Sequence, residues 1–155
     1  MAKKPYSASR QHYVAINDDV LNSPAYLDLK PPARALLVEF LRIHRPTRNG
    51  RLSISTREST TRLNVTEPTA LKAFAELAEH GFIRLTNNES WQERKAREWE
   101  LTMLPVNNHE PRHDWMQWIP GANLCPLPTK KKKSPTKKTG AILPMNFEQS
   151  RKKVG

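Results

Sequence analysis

The spacing of side chains after Pro31 predicts the first long helix of the chain. A stripe of mainly apolar residues recurs there at intervals of three and four positions, which places it on one helical face: Ala33, Leu36, Leu37, Phe40, Leu41 and His44. Pro31 and Pro32 suit a first helical turn, because their missing N–H groups would have no helical acceptor. Pro46 and the turn over 48–50 end this helix.

A second, shorter helix is predicted next. Ser55 or Thr56 caps it, and with Ser55 as the cap Glu58 is placed for a capping box. This helix runs to Leu63, and the pair Asn64-Val65 follows it. A tight turn between two helices is therefore expected at this point.

The third helix is predicted over 67–80. Thr66 caps it, Pro68 lies in its first turn, and Gly81 follows as a helix-ending glycine. Four apolar residues form its inner face at helical spacing: Ala70, Ala73, Phe74 and Leu77.

Alternating apolar and polar residues predict three strands. A short one covers 52–54, and two more cover 82–85 and 99–102, with a polar, basic loop over 86–98 between them. The predicted order is helix, short strand, helix, tight turn, helix and hairpin.

Two sets of residues carry a resemblance to a known family. The first resembles the winged helix-turn-helix of bacterial regulators and comprises Leu52-Ser53-Ile54-Ser55-Thr56-Arg57-Glu58, Leu63-Asn64-Val65-Thr66, Ala70 to Leu77 and Gly81-Phe82-Ile83. With Ser23-Pro24-Ala25-Tyr26, Leu29 and Lys95 to Thr102 added, the pattern is similar to small helix-turn-helix proteins of bacterial phages, plasmids and integrative elements. The resemblance covers roughly residues 20–104. It implies an α+β fold, a winged helix-turn-helix with a three-helix core and a short β-hairpin wing.

The basic residues are distributed unevenly along the chain. The 155 residues carry a formal charge of +11, and the stretch 105–155 holds 10 lysines and arginines against 3 acidic residues, with more than half of the 13 prolines. Proline and repulsion between like charges oppose ordering. We therefore expect a basic, Pro-rich and largely irregular C-terminal tail over 105–155, one domain over 15–104, and a flexible basic arm over 1–14.

Several classes of protein are disfavoured by the composition. Cys125 is the single cysteine, so neither an internal disulfide nor a cysteine-based zinc site is expected. His109 and His113 lie four residues apart, but Pro111 disfavours the helix that would bring them together as metal ligands. No nucleophile–base pair or glycine-rich phosphate loop is found, and we expect no enzymatic activity, cofactor or metal. No apolar run suits a membrane span or a signal segment, and a cytoplasmic, nucleoid-associated bacterial protein is expected.

The resemblance implies that the leading turn of the third helix enters the major groove of duplex DNA. Five residues are then expected to point outward: Thr66, Glu67, Thr69, Leu71 and Lys72. Thr66 is suited to contact a phosphate, and Thr69 is suited to contact a base edge. Glu67 could accept a hydrogen bond from the amino group of cytosine, and Lys72 could reach guanine or a phosphate. Many relatives carry Arg near Glu67 and Leu71. Glu67 also suits the positive end of the helix, and Leu71 also suits packing beneath the wing.

Other residues are expected to hold the DNA backbone without reading sequence. On the second helix these are Ser55, Thr56, Arg57 and Arg62, and in the wing they are Arg94, Lys95 and Arg97. In the tail they are Lys130, Lys131, Lys132, Lys133, Lys137 and Lys138, which would bind any polyanion. The alternative for the wing is a solvated loop, and for the tail a solvated linker.

The segment 115–119 is the main apolar feature of the tail. Docking back onto the domain is its ordinary outcome. The alternative is that Trp115 and Trp118 bind a partner, such as RNA polymerase or a second subunit of a homodimer.

These patterns together predict sequence-specific binding of double-stranded DNA, as a transcription regulator of a bacterial mobile element. A first alternative is an accessory factor for plasmid or phage replication initiation or for excision. A second alternative is a protein–protein interaction module on the same scaffold. Base-pair specificity would distinguish a DNA-binding function from the protein–protein interaction module. The location of the binding site would distinguish a transcription regulator from a replication or excision factor.

Overall fold

The computed structural model describes residues 12–89 and 95–128, which form a mixed α+β structure. Its helices are α1 (Asp18–Leu21), α2 (Pro24–Asp28), α3 (Pro31–Ile43), α4 (Thr56–Leu63) and α5 (Glu67–Glu79). Its strands are β1 (Ile83–Asn87) and β2 (Glu98–Leu101), and a 3-10 helix follows at Asp114–Gln117. The three predicted helices correspond to α3, α4 and α5, and no helix was predicted at α2.

Local signals determine both ends of α4 and the C-terminal end of α5. Ser55 caps α4, because its Oγ accepts a hydrogen bond from the N–H of Glu58 at 3.0 Å. Asn64, at φ 53°, ends α4 in the left-handed conformation, which asparagine tolerates better than most residues. Gly81, at φ 79°, follows α5 as predicted.

The two strands form one antiparallel hairpin. Opposite pairs are Ile83 with Leu101, Arg84 with Glu100, and Leu85 with Trp99, and an irregularity of register follows before Asn87 meets Glu98. The strand predicted over 52–54 is wrong in extent, since only Leu52 pairs, through an isolated bridge to Trp99. The reason is that the chain must turn into the N-cap of α4 three residues later.

The core lies between α3, α5 and the hairpin. Phe40 and Phe74 meet edge to face at 5.9 Å between ring centroids, and Trp99 stacks on Phe74 at 5.5 Å. Most of the predicted inner faces is buried: Ala33, Leu36, Leu37 and Phe40 on α3, and Ala70, Ala73, Phe74 and Leu77 on α5. Leu41 and His44, the other members of the predicted stripe, are half-buried. Burying a large apolar side chain contributes about 1.5–3 kcal/mol, so this cluster fixes how α5 is held.

A buried asparagine joins the α3 end of the domain to β2. The Asn49 side-chain amide donates towards the carbonyls of Leu101, Leu104 and Pro105 at 3.0–3.1 Å. Its Oδ1 accepts from the N–H groups of Gly50 and Leu101. Because an unpaired buried amide is costly, these contacts, in which the two Nδ2 protons are shared among three carbonyls, fix the turn that follows α3 against the end of the hairpin.

The packed part of the chain continues well beyond Leu104, where the sequence suggested that the domain ends. Trp115 stacks on Phe82 at 6.0 Å and Trp118 on His80 at 4.4 Å between ring centroids. Both tryptophans are buried, and so is Cys125. The boundary at Leu104 is therefore too early, because the apolar area of this segment covers the end of α5. The remainder of the predicted tail, 129–155, lies outside the described residues.

The same segment completes the C-terminal end of α5. The N–H groups of Leu124 and Cys125 donate to the carbonyls of Glu79 and Ala78 at 3.0 and 3.2 Å. These carbonyls belong to the last turn of a helix, where the regular donors four residues further on are missing. The Ala78 carbonyl also accepts from the N–H of Gly81 at 3.0 Å. A Cβ built on Gly81 would come within 2.8 Å of a Leu124 methyl and 3.0 Å of the backbone at Trp115. The segment approaches this closely because position 81 has no side chain.

The order of α3, the Leu52 bridge, α4, α5 and the hairpin is compatible with a winged helix. None of the helices in the described ranges combines the length and the apolar character that crossing a membrane requires.

Candidate nucleic-acid interface

A three-residue turn sets the angle between α4 and α5. It begins at Asn64 and is closed by a hydrogen bond from the N–H of Val65 to the carbonyl of Thr60 at 3.2 Å. Ser59 is fully buried, and its Oγ donates to the Ser55 carbonyl within α4. Because the Ser59 side chain is small and its hydroxyl is hydrogen-bonded within the chain, α4 can pack closely against α5. The turn therefore presents the start of α5 from a rigid support.

The two faces of α5 differ sharply in exposure. The face that carries Ala70, Ala73, Phe74 and Leu77 is buried. The opposite face carries the predicted groove-facing residues: Thr66, Glu67 and Lys72 are exposed, Thr69 is half-buried, and Leu71 is 43% exposed. Leu71 is therefore not buried, although packing beneath the wing was the alternative to DNA contact for this residue.

Thr66 occupies the N-cap position of α5 but does not cap the helix with its side chain. Its Oγ1 lies 2.9 Å from the Oγ1 of Thr69 instead. Pro68, at the second helical position, has no N–H to donate, which removes one of the usual partners of a capping hydroxyl. Two paired hydroxyls use one proton between them, so the second proton and the remaining lone pairs stay available at the surface.

The charge on α5 itself does not favour phosphate. The helix carries Glu67, Glu76 and Glu79 against Lys72 alone. Glu76 is partly engaged, because its Oε1 accepts from the N–H of Lys30 at 2.6 Å. Attraction to a polyanion must therefore come mainly from neighbouring elements.

On α4, Arg57 and Arg62 have different environments. Arg57 is exposed. Arg62 donates from Nε to Glu39 on α3, which also accepts from Arg42 at 2.7 Å. Burial raises the pKa of Glu39, but the hydrogen bonds and positive charges of Arg62 and Arg42 outweigh burial and lower the pKa overall. Arg62 thus ties α4 to α3, and the expectation that it contacts phosphate is weakened.

The remaining predicted contacts on α4 are only partly open. The Ser55 Oγ already accepts from the N–H of Glu58, and Thr56 is half-buried. In the hairpin loop, Lys95 is exposed. Arg97 forms an ion pair with Glu89 at 3.2 Å, and its side chain is 23% exposed. The site predicted at Arg94 lies outside the described residues, as do the predicted sites in the tail: Lys130, Lys131, Lys132, Lys133, Lys137 and Lys138.

Trp115 and Trp118 are not available as the partner-binding pair that the sequence allowed. Both side chains are buried against Phe82 and His80 of the same chain. Docking back, the other outcome that we considered, is the one observed. Across 12–89 and 95–128, no group of three His, Cys, Asp or Glu residues is arranged to hold a metal ion.

The turn after α3 carries three exposed arginines that were not among the predicted site residues: Arg45, Arg48 and Arg51. Their three-residue spacing is visible in the sequence, but nothing there shows that the turn is fixed to the hairpin.

Comparisons of the chain with protein-family models, with curated proteins and with solved structures each found no match.

Proposed function

We propose that this chain binds double-stranded DNA through a winged helix-turn-helix, with the leading turn of α5 in the major groove. Its role is that of a transcription regulator on a bacterial mobile element, acting in the cytoplasm at the nucleoid. The observation that carries the proposal is that α5 has a buried apolar face and an exposed leading turn. A tight turn joins α4 to the start of α5, so that α4 supports this leading turn.

The side chains on the leading turn suit base-edge contacts better than phosphate contacts. The hydroxyl pair of Thr66 and Thr69 offers both a donor and acceptors. Glu67 accepts hydrogen bonds only, which matches the amino group of cytosine. Lys72, one helical turn further on, reaches guanine or the backbone.

Backbone attraction is assigned to elements beside α5. Arg57 on α4 and Lys95 in the hairpin loop are exposed basic residues that flank this helix in the chain. The overall charge of +11 adds a long-range attraction to polyanions. The DNA backbone is thus held from two sides while α5 reads the groove.

One observation favours the second candidate, a protein-interaction module. The exposed face of α5 combines Leu71 with Glu67, and an apolar side chain beside an acid suits a protein surface as well as a groove. The third candidate, a replication or excision accessory factor, uses the same DNA interface and differs only in where its site lies.

Selection of binding sites from a random duplex library by the full chain tests the proposal. The expected result is enrichment of one sequence that the protein binds at least about 10³-fold more tightly than random duplex, as specific binders do. The control is the variant Lys72→Ala with Thr69→Ala, which removes two leading-turn contacts and should fail to enrich that sequence.

Failure to bind any duplex at low ionic strength would remove DNA from the proposal and leave the protein-interaction module. Binding without enrichment would remove sequence specificity. Mapping the enriched sequence to promoters, or to origins and attachment regions, decides between a regulator and an accessory factor.

A further inference from the structure

The turn that follows α3 carries a basic surface that the proposed interface does not use. Arg45, Arg48 and Arg51 are exposed and follow one another at three-residue spacing. Backbone hydrogen bonds shape the turn, from Arg48 N to Arg45 O at 2.8 Å and from Arg51 N to Arg48 O at 2.9 Å. We call these three side chains the turn arginines.

No carboxylate within 12–89 and 95–128 compensates the charge of the turn arginines. Among the described residues, none of the three forms an ion pair with a carboxylate. Glu100 lines the cleft beside Arg51, but it is engaged by Arg112 at 3.3 Å. Arg45 donates to the carbonyls at the end of α3 and keeps its positive charge.

The turn arginines lie at the far end of α5 from its leading turn. Asn49, in the middle of this turn, is hydrogen-bonded to Leu101 at the end of β2. The N–H of the neighbouring residue Thr102 donates to the carbonyl of Phe82, three residues beyond the end of α5. Because α5 has 13 residues and a helix rises about 1.5 Å per residue, its two ends are separated by about 20 Å.

We propose that the turn arginines bind the phosphate backbone of a second duplex DNA segment, so that one protein molecule bridges two duplexes. This inference rests on the proposed function, because the first duplex is the one held at the leading turn of α5. A duplex seated there has its backbone near α4 and the hairpin loop, whereas Asn49 fixes the turn that carries the turn arginines to the end of β2, on the side of the C-terminal end of α5.

The chemistry of the turn favours a nucleic-acid backbone over a protein or a membrane. Guanidinium groups pair with phosphate through two parallel hydrogen bonds. The stretch 45–51 contains no large apolar side chain, whereas the core of a protein interface and a membrane-bound surface both need one. Contacts of this kind are blind to sequence, so the second segment can be any duplex.

A bridging assay with the full chain tests the inference. A duplex tethered to beads is saturated with protein at low salt and washed, and a second, fluorescent duplex is then added. The variants are Arg48→Ala, Arg51→Ala and the two combined, with Arg45 retained because it closes α3. Lys30→Ala is the matched control, because it removes one exposed charge about 20 Å away, at the other end of α3.

The expected result is that each arginine variant captures about threefold less second duplex and the double variant on the order of tenfold less. All variants should be retained on the tethered duplex like the wild type, and Lys30→Ala should capture like the wild type. Unchanged melting temperatures of the variants confirm that the fold is intact.

Two results overturn the inference while leaving the proposed function standing. One is wild-type protein that is retained on the tethered duplex but captures no second one. The other is full capture by the double variant, which assigns bridging to another surface or to pairing of protein molecules. Wild-type protein that is not retained on the tethered duplex overturns both proposals.

Discussion

The indole ring of Trp118 lies over the imidazole of His80 at 4.4 Å between centroids and 17° between planes. His80 is also held at both ring nitrogens, 2.8 Å from the Glu76 carbonyl and 2.8 Å from the Asp28 carboxylate. One buried histidine thus joins α2, α5 and the C-terminal segment. This contact explains why a stretch with few regular elements belongs to the folded domain.

Two truncations should separate the C-terminal segment from the residues after it. Removal of 105–155 should abolish cooperative melting or lower the melting temperature strongly, because it exposes Phe82 and the end of α5. Removal of 129–155 should leave the melting temperature close to that of the full chain, since the composition of this stretch assigns it no core. Thermal denaturation followed by circular dichroism measures both, and equal losses would contradict the prediction.

Trp115→Ala should destabilise the protein by about 3–5 kcal/mol, the usual cost of truncating a buried tryptophan. The lost contact is its stack on Phe82. The neighbouring Met116 is 59% exposed, so Met116→Ala is the matched control and should change stability by no more than about 0.5 kcal/mol. Urea denaturation at constant m-value measures the difference, and similar midpoints for the two variants would contradict it.

Thr69 should affect sequence preference through its hydroxyl. Thr69→Val keeps the shape of the side chain and removes the hydroxyl that pairs with Thr66. It should weaken binding to the selected site by about 1–3 kcal/mol relative to random duplex. Thr69→Ser, which keeps the hydroxyl, should retain the preference. Competition titrations measure both, and an equal loss of Thr69→Val on selected and random DNA would show that the hydroxyl reads no base.

Lys95 should act on all duplexes alike. Lys95→Ala should weaken binding to selected and random DNA by the same factor and reduce the slope of log K against log salt by about 0.9, the amount for one phosphate contact. Arg97→Ala should have a smaller effect, because the Arg97 side chain is only 23% exposed. Fluorescence anisotropy over a salt series measures the slopes. A larger effect for Arg97 would reverse the assignment.

Glu39 should make stability depend on acid pH. Its pKa is lowered from 4.5 in the folded state, so its contribution is complete above 4.5 and is lost as the pH falls through the lower, folded value. Glu39→Gln should therefore lower the melting temperature at pH 7 and flatten its decline below about pH 4.5. Glu79→Gln, at an exposed position, is the control. Parallel acid profiles for the wild type and Glu39→Gln would refute this role.

Much of the fold could be predicted because short-range signals determine it. The stripe from Ala33 to Phe40, the cap at Ser55 and the glycine at 81 each act within one or two helical turns, so local spacing is enough to place α3, α4 and α5. The strand at Leu52 was overestimated because a single bridge and a true strand have the same alternation in sequence.

The candidate site was only partly visible for the same reason. Spacing along α5 identified its exposed residues, but it could not show that Glu39 engages Arg62, 23 positions away in the chain. Nor could it show that Thr66 pairs with Thr69 rather than capping the helix. Ion pairs and hydroxyl contacts depend on which side chains tertiary packing brings within a few ångströms.

The sequence by itself determined the order of helices and hairpin, the buried face of α5 and the excess of positive charge. Only the tertiary structure decided that 105–128 completes the domain and that Asn49 fixes the turn after α3 to β2. The physical reason is range. Helix formation and capping are governed by neighbours in the chain, whereas burial and surface charge depend on segments that meet only once the core is packed.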